Sequence, residues 1–325
     1  MRRVLIDCDP GIDDSIALIL AARSPELKIE AITTASGNLR ADQTAINALK
    51  TLELINRDDI PVYQGMLKPL VRDLPRDPFS HGDDGLGNTG LPAPRRSPEP
   101  TFAPDAILEI VRSYPNEITI LALAPLTNLA MAILKAPELM RQVQRIIAIA
   151  GAFGFTPYAY EYATGGNPTS EWNVYVDPEA AKIVFHSGIP ITAIGLDVAT
   201  QPAVRFTPEQ LALLRQSGTR EAQHLLTILH YLEQRNFEHY CTLIDSFAVA
   251  AAIDESIIRR RRIHVDIETR GEYTLGQTVT DFRKKFTWTH LPEIEAADHA
   301  DFPRFIDMLM QVMTSSSGEG KRTSR

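Results

Sequence analysis

Two periods of apolar and polar positions alternate along the chain. The run Val4-Leu5-Ile6 is continuously apolar and reads as a buried strand. Pro10-Gly11 then turns the chain, and Ile16, Leu18, Ile19 and Leu20 supply the apolar positions of a helix over 12–22. A second strand is expected at 29–35, running into Ser36-Gly37-Asn38, then a helix at 43–55 and a short strand at 61–63. The alternation resumes with a helix at 106–114, a strand at 118–123, a helix from the Pro125-Leu126-Thr127-Asn128 turn to about 134, and a strand at 146–150. A helix start at Asp177-Pro178 and a strand at 191–196 complete this series. Strands alternating with helices imply an α/β fold with an open, doubly wound and mostly parallel central sheet. The next section is helical, over 208–215, 220–239 and 245–253. Segments 263–268 and 273–280 then read as a late antiparallel pair, and Leu309 belongs to a terminal helix.

Between 67 and 104 both periods stop. Prolines cluster there, and His81-Gly82-Asp83-Asp84-Gly85-Leu86-Gly87-Asn88-Thr89-Gly90 appears. Its last six residues match G-x-G-x-x-G, but no strand precedes them and no helix follows, so a dinucleotide fingerprint is rejected. A loop of this length in a compact domain usually covers or lines a site, which makes His81 a candidate substrate contact as well as an ordinary loop histidine.

The 325 residues, 44% apolar and 23% charged, have an ordinary globular composition. No internal repeat or composition break divides them, so one domain is expected over 1–314, with a loose polar tail at 315–325. A net charge of −8 argues against a nucleic-acid surface. Arg259-Arg260-Arg261-Arg262 reads as a solvated connection before a strand. Cys8 and Cys241 give no disulfide framework, and no long apolar segment or leader is evident. A cytoplasmic protein without a membrane partner is the expectation.

The candidate chemistry lies at the first turn. Asp7, Asp9, Asp13 and Asp14 gather four carboxylates at one strand-to-helix junction, where they repel and raise one another's pKa unless a cation binds. Ca²⁺, a hard ion taking six to eight oxygen ligands, meets that need. Acidic residues also favour helix N-termini, which accounts for Asp13 and Asp14 but not for Asp7 and Asp9. In open sheets the carboxyl ends of strands are where ligands bind.

Asp7-Cys8-Asp9-Pro10-Gly11-Ile12-Asp13-Asp14 resembles the N-terminal signature of the nucleoside hydrolases of the inosine-uridine-preferring type. The resemblance extends from about Val4 to Met310. It takes in Ala31-Ile32-Thr33-Thr34 with Gly37-Asn38, Pro125-Leu126-Thr127-Asn128, Glu171-Trp172-Asn173 with Asp177-Pro178-Glu179, and Leu275-Gly276-Gln277-Thr278-Val279. It implies hydrolysis of ribonucleosides to free base and ribose, by a calcium-bound water that Asp9 deprotonates. It further implies that Asp14 and Asp245 hold Ca²⁺ with Asp9 and the Leu123 carbonyl. Asp13 and Asn173 bind the ribose hydroxyls, Glu171 and Asn167 address its 5′ end, Asn38 supports the sugar, and Asp7 ties the turn together. A homodimer or homotetramer is implied too. From the residues alone, Asn38 reads as a turn residue after Gly37, and Asp245-Ser246 equally as an N-cap.

Two departures bear on the base. Many pyrimidine-accepting members carry a histidine immediately before the late calcium-binding aspartate; here Ile244 stands there and donates no proton. His239, Tyr240 and His81 are the remaining candidates for that duty. The Asn167-to-Glu171 spacing is two residues short, and the segment 153–162 is unusually aromatic, with Tyr158, Tyr160, Tyr162 and Trp172 available to stack on a base. A purine preference is compatible with this. The rival readings are a calcium-dependent ribose- or nucleoside-binding protein, motivated by Ile244, and a haloacid-dehalogenase-type phosphatase, suggested by Asp7-Cys8-Asp9 but poorly matched by Pro10-Gly11.

Overall fold

Val4, Ile6 and Cys8 pack on one face of the first strand and Leu5 on the other, the period-two alternation of a strand buried on both sides. This strand, β1 (Arg2–Cys8), lies inside a nine-stranded sheet of the computed structural model, which describes residues 1–76 and 81–315. The remaining strands are β2 (Leu27–Thr34), β3 (Val62–Gln64), β4 (Ile118–Ala122), β5 (Arg145–Ile149), β6 (Ile191–Ile194), β7 (Ile258–Ile267), β8 (Thr278–Thr280) and β9 (Glu293–Ala300). Their order is β3-β2-β1-β4-β5-β6-β9-β7-β8. All neighbours from β3 to β9 are parallel, whereas β7 runs antiparallel to both β9 and β8. The chain winds one way through β1, β2 and β3 and then returns to the other side of β1 through β4. That reversal opens a crevice at the carboxyl ends of β1 and β4, where the acidic turn lies.

The α/β architecture agrees with the sequence pattern; two elements differ. The arginine run is not a connection but lies within β7. There Arg259 and Arg261 reach Asp298, Arg260 reaches Glu255 and Glu295, and Arg262 reaches Glu293. Cross-strand acids thus neutralise what looked like a solvated basic stretch. Its partner β9 reads Glu-Ile-Glu-Ala-Ala-Asp-His-Ala, too acidic to announce a strand on its own. Most of the tail expected at 315–325 lies outside the described residues.

The helix Ile12–Arg23 is buried almost throughout, from Ile12 to Ala22, and packs against Ser246–Ile253. Among the described residues no helix is long and apolar enough to cross a membrane. His224, on the helix Arg220–Gln234, lies behind the first helix with Nε2 3.0 Å from the Ser15 hydroxyl, which itself donates to the Ile12 carbonyl at 2.9 Å. Burial drives the His224 pKa from 6.5 down to about 4. Between those values the unfolded chain takes up a proton that the folded chain refuses, so stability falls as pH drops through the window. The loss of unfolding free energy between pH 7 and 4.5 is expected to be smaller by about 2 kcal/mol in His224→Leu than in the wild type. Denaturant titrations at the two pH values check this; equal losses in both proteins contradict it.

Candidate active site

Cys8 ends β1, and Asp14 closes the turn that follows by accepting from the backbone N–H of Asp9 at 3.0 Å and of Gly11 at 2.9 Å. These are donors that the start of a helix otherwise leaves unsatisfied. Asn38 arrives from the end of β2. Its backbone N–H donates to Asp9 Oδ2 at 2.6 Å, and its side-chain amide donates to the Asp9 carbonyl and to Asp14 Oδ2, both at 3.2 Å. The approach is so close that a Cβ on Gly37 would sit 2.0 Å from Asp9 Oδ2, and one on Gly11 would sit 2.2 Å from His81 Nδ1. No larger residue fits either place.

Asp7 lies behind the turn rather than on the cavity wall. Its Oδ1 accepts from Thr33 Oγ1 at 2.6 Å and Asn128 Nδ2 at 2.8 Å, tying β1 to β2 and to the helix Thr127–Lys135. Oδ2 is buried with no hydrogen-bond partner among the described residues, and burial pushes the Asp7 pKa up to about 7.

Asp245 comes from the start of the helix Ser246–Ile253, although its side chain caps no backbone group there. One oxygen from each of Asp13, Asp14 and Asp245 lies within 4.8 Å of the other two. Burial and the neighbouring carboxylates push the Asp245 pKa well up, and burial pushes Asp14 to about 6. Carboxylates gathered this closely repel one another unless a proton or a cation sits between them. An all-oxygen donor set suits a hard cation. Of the expected ligands Asp14 and Asp245 stand in this cluster and Asp9 does not, its Oδ2 accepting from the Asn38 N–H; Asp13, expected at the ribose, takes the third place. The Leu123 carbonyl, just past β4, accepts from Asn173 Nδ2 at 2.9 Å.

The turn opens into a cavity of about 240 Å³. Asp9, Asp13, Asn38, His81, Glu171, Asn173 and Asp245 supply polar groups to its wall. Glu171 caps the short helix Trp172–Val176, accepting from Asn173 N and Val174 N, and it also accepts from Gly151 N. Burial pushes its pKa up to about 7. His81 lies on the wall, with Nδ1 accepting from the Ile12 N–H at 3.2 Å and lying 4.0 Å from Asp13 Oδ1. Asn167 is the exception among the candidates. Its amide donates to the Leu275 carbonyl and its Oδ1 accepts from Thr169 and Ser170, so it shapes its own loop and does not line the cavity.

The opposite side is apolar, built from Tyr162, Trp172, Phe237, Tyr240, Cys241 and Ile244. Tyr162 packs on Tyr240, with ring centroids 5.4 Å apart. Of the expected aromatics, Tyr158 stacks behind Tyr162 and Tyr160 is exposed, so neither reaches the wall. His239 is also off the wall, its Nδ1 accepting from Phe206 N. Phe237 and Cys241 were hidden from sequence reasoning. The helical period seemed to run to 239, whereas the helix stops at Gln234 and Asn236 takes a left-handed conformation at φ 57°. That asparagine, tolerant of left-handed backbone, was the available signal.

One side of the cavity thus gathers buried carboxylates around a cation-sized cluster, and the other offers flat apolar surface. The sequence pattern described as inosine-uridine preferring nucleoside hydrolase matches residues 4–307. The chain belongs to this family. Similar nucleoside hydrolases include the pyrimidine-specific ribonucleoside hydrolase RihA of Citrobacter koseri, 36% identical over 313 residues that cover 95% of this chain and 96% of that one. RihA of Photobacterium profundum is 39% identical over 86% of this chain and 89% of its own. Among solved nucleoside hydrolases, the plant enzyme PpNRh1 superposes with a TM-score of 0.86 at 35% identity, covering 97% of this chain and 99% of that one. A purine-preferring ribonucleoside hydrolase from Gardnerella vaginalis gives 0.83 at 29% identity, over 96% and 98%.

Proposed function

We propose that the protein hydrolyses the N-glycosidic bond of ribonucleosides to free base and ribose with the help of Ca²⁺. The observation that carries this reading is a cavity lined by Asp13 and Asp245, which cluster with the buried Asp14, and by an aromatic wall. Asp14 and Asp245, with Asp13 or Asp9 and the Leu123 carbonyl, would hold the cation. When bound, its charge would lower the pKa of nearby water. Asp9 takes the proton of the attacking water, and the Asn38 N–H fixes the orientation of its carboxylate. Asp13, Glu171 and Asn173 offer polar contacts to the ribose hydroxyls. Positive charge builds on the ribose as the bond breaks, and the neighbouring carboxylates stabilise it. Direct attack by water inverts the anomeric carbon.

The base lies against Tyr162, Trp172 and Tyr240. Ile244 supplies no proton there. Burial raises the pKa of the Tyr240 phenol, which therefore stays protonated and is a hydrogen-bond donor on that wall. Ile244 and the breadth of the aromatic surface favour purines, which stack over more area, whereas the RihA relatives are pyrimidine-specific by name.

The test is chromatographic detection of free base from a panel of purine and pyrimidine nucleosides, with Ca²⁺ and with a chelator. Release in Ca²⁺ that chelation lowers by at least about 100-fold is expected, from the scale of the electrostatic stabilisation removed. Relative kcat/KM for inosine and uridine then assigns the base. Calcium-dependent nucleoside binding with no release from any substrate turns the reading to a binding protein.

A further inference from the structure

Asp197 belongs to no role described so far, yet it is a fully buried carboxylate beside the cavity. It follows β6 on the short helix Leu196–Ala199, and its neighbour Leu196 lines the cavity. Three backbone N–H groups of one segment converge on it. Phe153 donates to Oδ2 at 2.7 Å, while Phe155 and Thr156 donate to Oδ1 at 2.5 and 3.1 Å. Its carbonyl accepts from Thr156 Oγ1 at 3.1 Å. Glu171 holds the beginning of the same segment through Gly151 N at 3.1 Å.

Downstream the chain forms the turn of helix Tyr158–Glu161, which packs on Leu196–Ala199 and delivers Tyr162, Ala163 and Thr164 to the cavity. We propose, on the basis of the nucleoside-hydrolase reading above, that Asp197 is a positioning residue for the base. By gathering the 153–156 amides it sets the backbone from which Tyr162 reaches the aromatic wall, and so governs how tightly the base is held. A charged acceptor is required there because both oxygens are in use. Asn in either orientation would present its NH₂ to at least one of the N–H groups, donor against donor. Among the described residues Asp197 shares no hydrogen bond with Asp9, Asp14 or Asp245, the groups set around the first turn.

The experiment compares wild type with Asp197→Asn on inosine, on uridine and on p-nitrophenyl β-D-ribofuranoside, whose leaving group departs as an anion and needs little from the base wall. Hydrogen exchange of the peptides spanning 151–164 and 4–16 is followed in parallel. In the variant, exchange across 151–164 should quicken and that of 4–16 stay unchanged. KM for the nucleosides should rise roughly 10-fold, while kcat on the p-nitrophenyl riboside stays within about threefold. Unchanged exchange across 151–164 overturns the proposal, as does faster exchange with unaltered nucleoside KM, or an equal loss on all three substrates. A wild type that cleaves no nucleoside refutes the hydrolase reading by itself. The Kd of inosine from calorimetry then takes the place of KM, with the same roughly 10-fold weakening expected.

Discussion

Asp9→Ala should lower kcat for base release by about 10²–10⁴ while leaving nucleoside binding nearly intact. Asp9 is the carboxylate best placed to take a proton. It is 1% exposed yet on the cavity wall, and burial together with the Asp14 charge pushes its pKa well up. The Asn38 N–H at 2.6 Å holds one oxygen and with it the orientation of the group. Alanine removes the base and leaves that N–H without its acceptor, but Asp14 keeps its own bonds to the turn, so the helix start survives. Single-turnover release of base, set beside calorimetric titration with the same nucleoside, separates the two effects. A kcat within a factor of about five of wild type would move the base function elsewhere, because general-base removal costs far more.

Asp245→Asn should show the opposite signs with and without Ca²⁺. Without the ion, the variant should melt above the wild type, since one of three buried, mutually repelling carboxylates has been neutralised in place. With the ion in 100-fold excess over its Kd, the wild type gains about 2.7 kcal/mol from binding. The variant, short of one charged ligand, should gain little or nothing. Scanning calorimetry with Ca²⁺ and with a chelator reads both arms. A variant stabilised by Ca²⁺ as fully as the wild type would remove Asp245 from the ligand set.

Much of the site was legible because its chemistry is local in sequence. Asp7, Asp9, Asp13 and Asp14 lie within eight positions, and their spacing on a strand, a turn and a helix start already places them at one sheet edge. Asn38, Glu171 and Asn173 are read only through the family resemblance, since turn and loop sequence surrounds them. What escaped depends on partners far along the chain. β9 is acidic and the first half of β7 is basic, so β9 and the arginine run do not read as strand until the two are paired. Asn167 resembles a ligand in sequence but spends its hydrogen bonds on the Leu275 carbonyl and on Thr169 and Ser170. Phe237 and Cys241 sit in irregular backbone after Gln234, where no period marks which way a side chain points.

The two walls of the cavity also differ in how they are built. The carboxylates of the hydrolytic side stand on the turn after β1 and at the starts of helices packed against the sheet, where a one-residue shift of the first turn would displace several at once. The base side is assembled from separate connections, around Tyr162, Trp172 and Phe237 to Ile244, each anchored on its own. Substitutions of the apolar side chains there leave in place the bonds by which Asp14 and Asn38 hold the first turn. A lineage with this fold can therefore exchange one nucleobase for another by small independent steps while its bond-breaking apparatus is inherited unchanged.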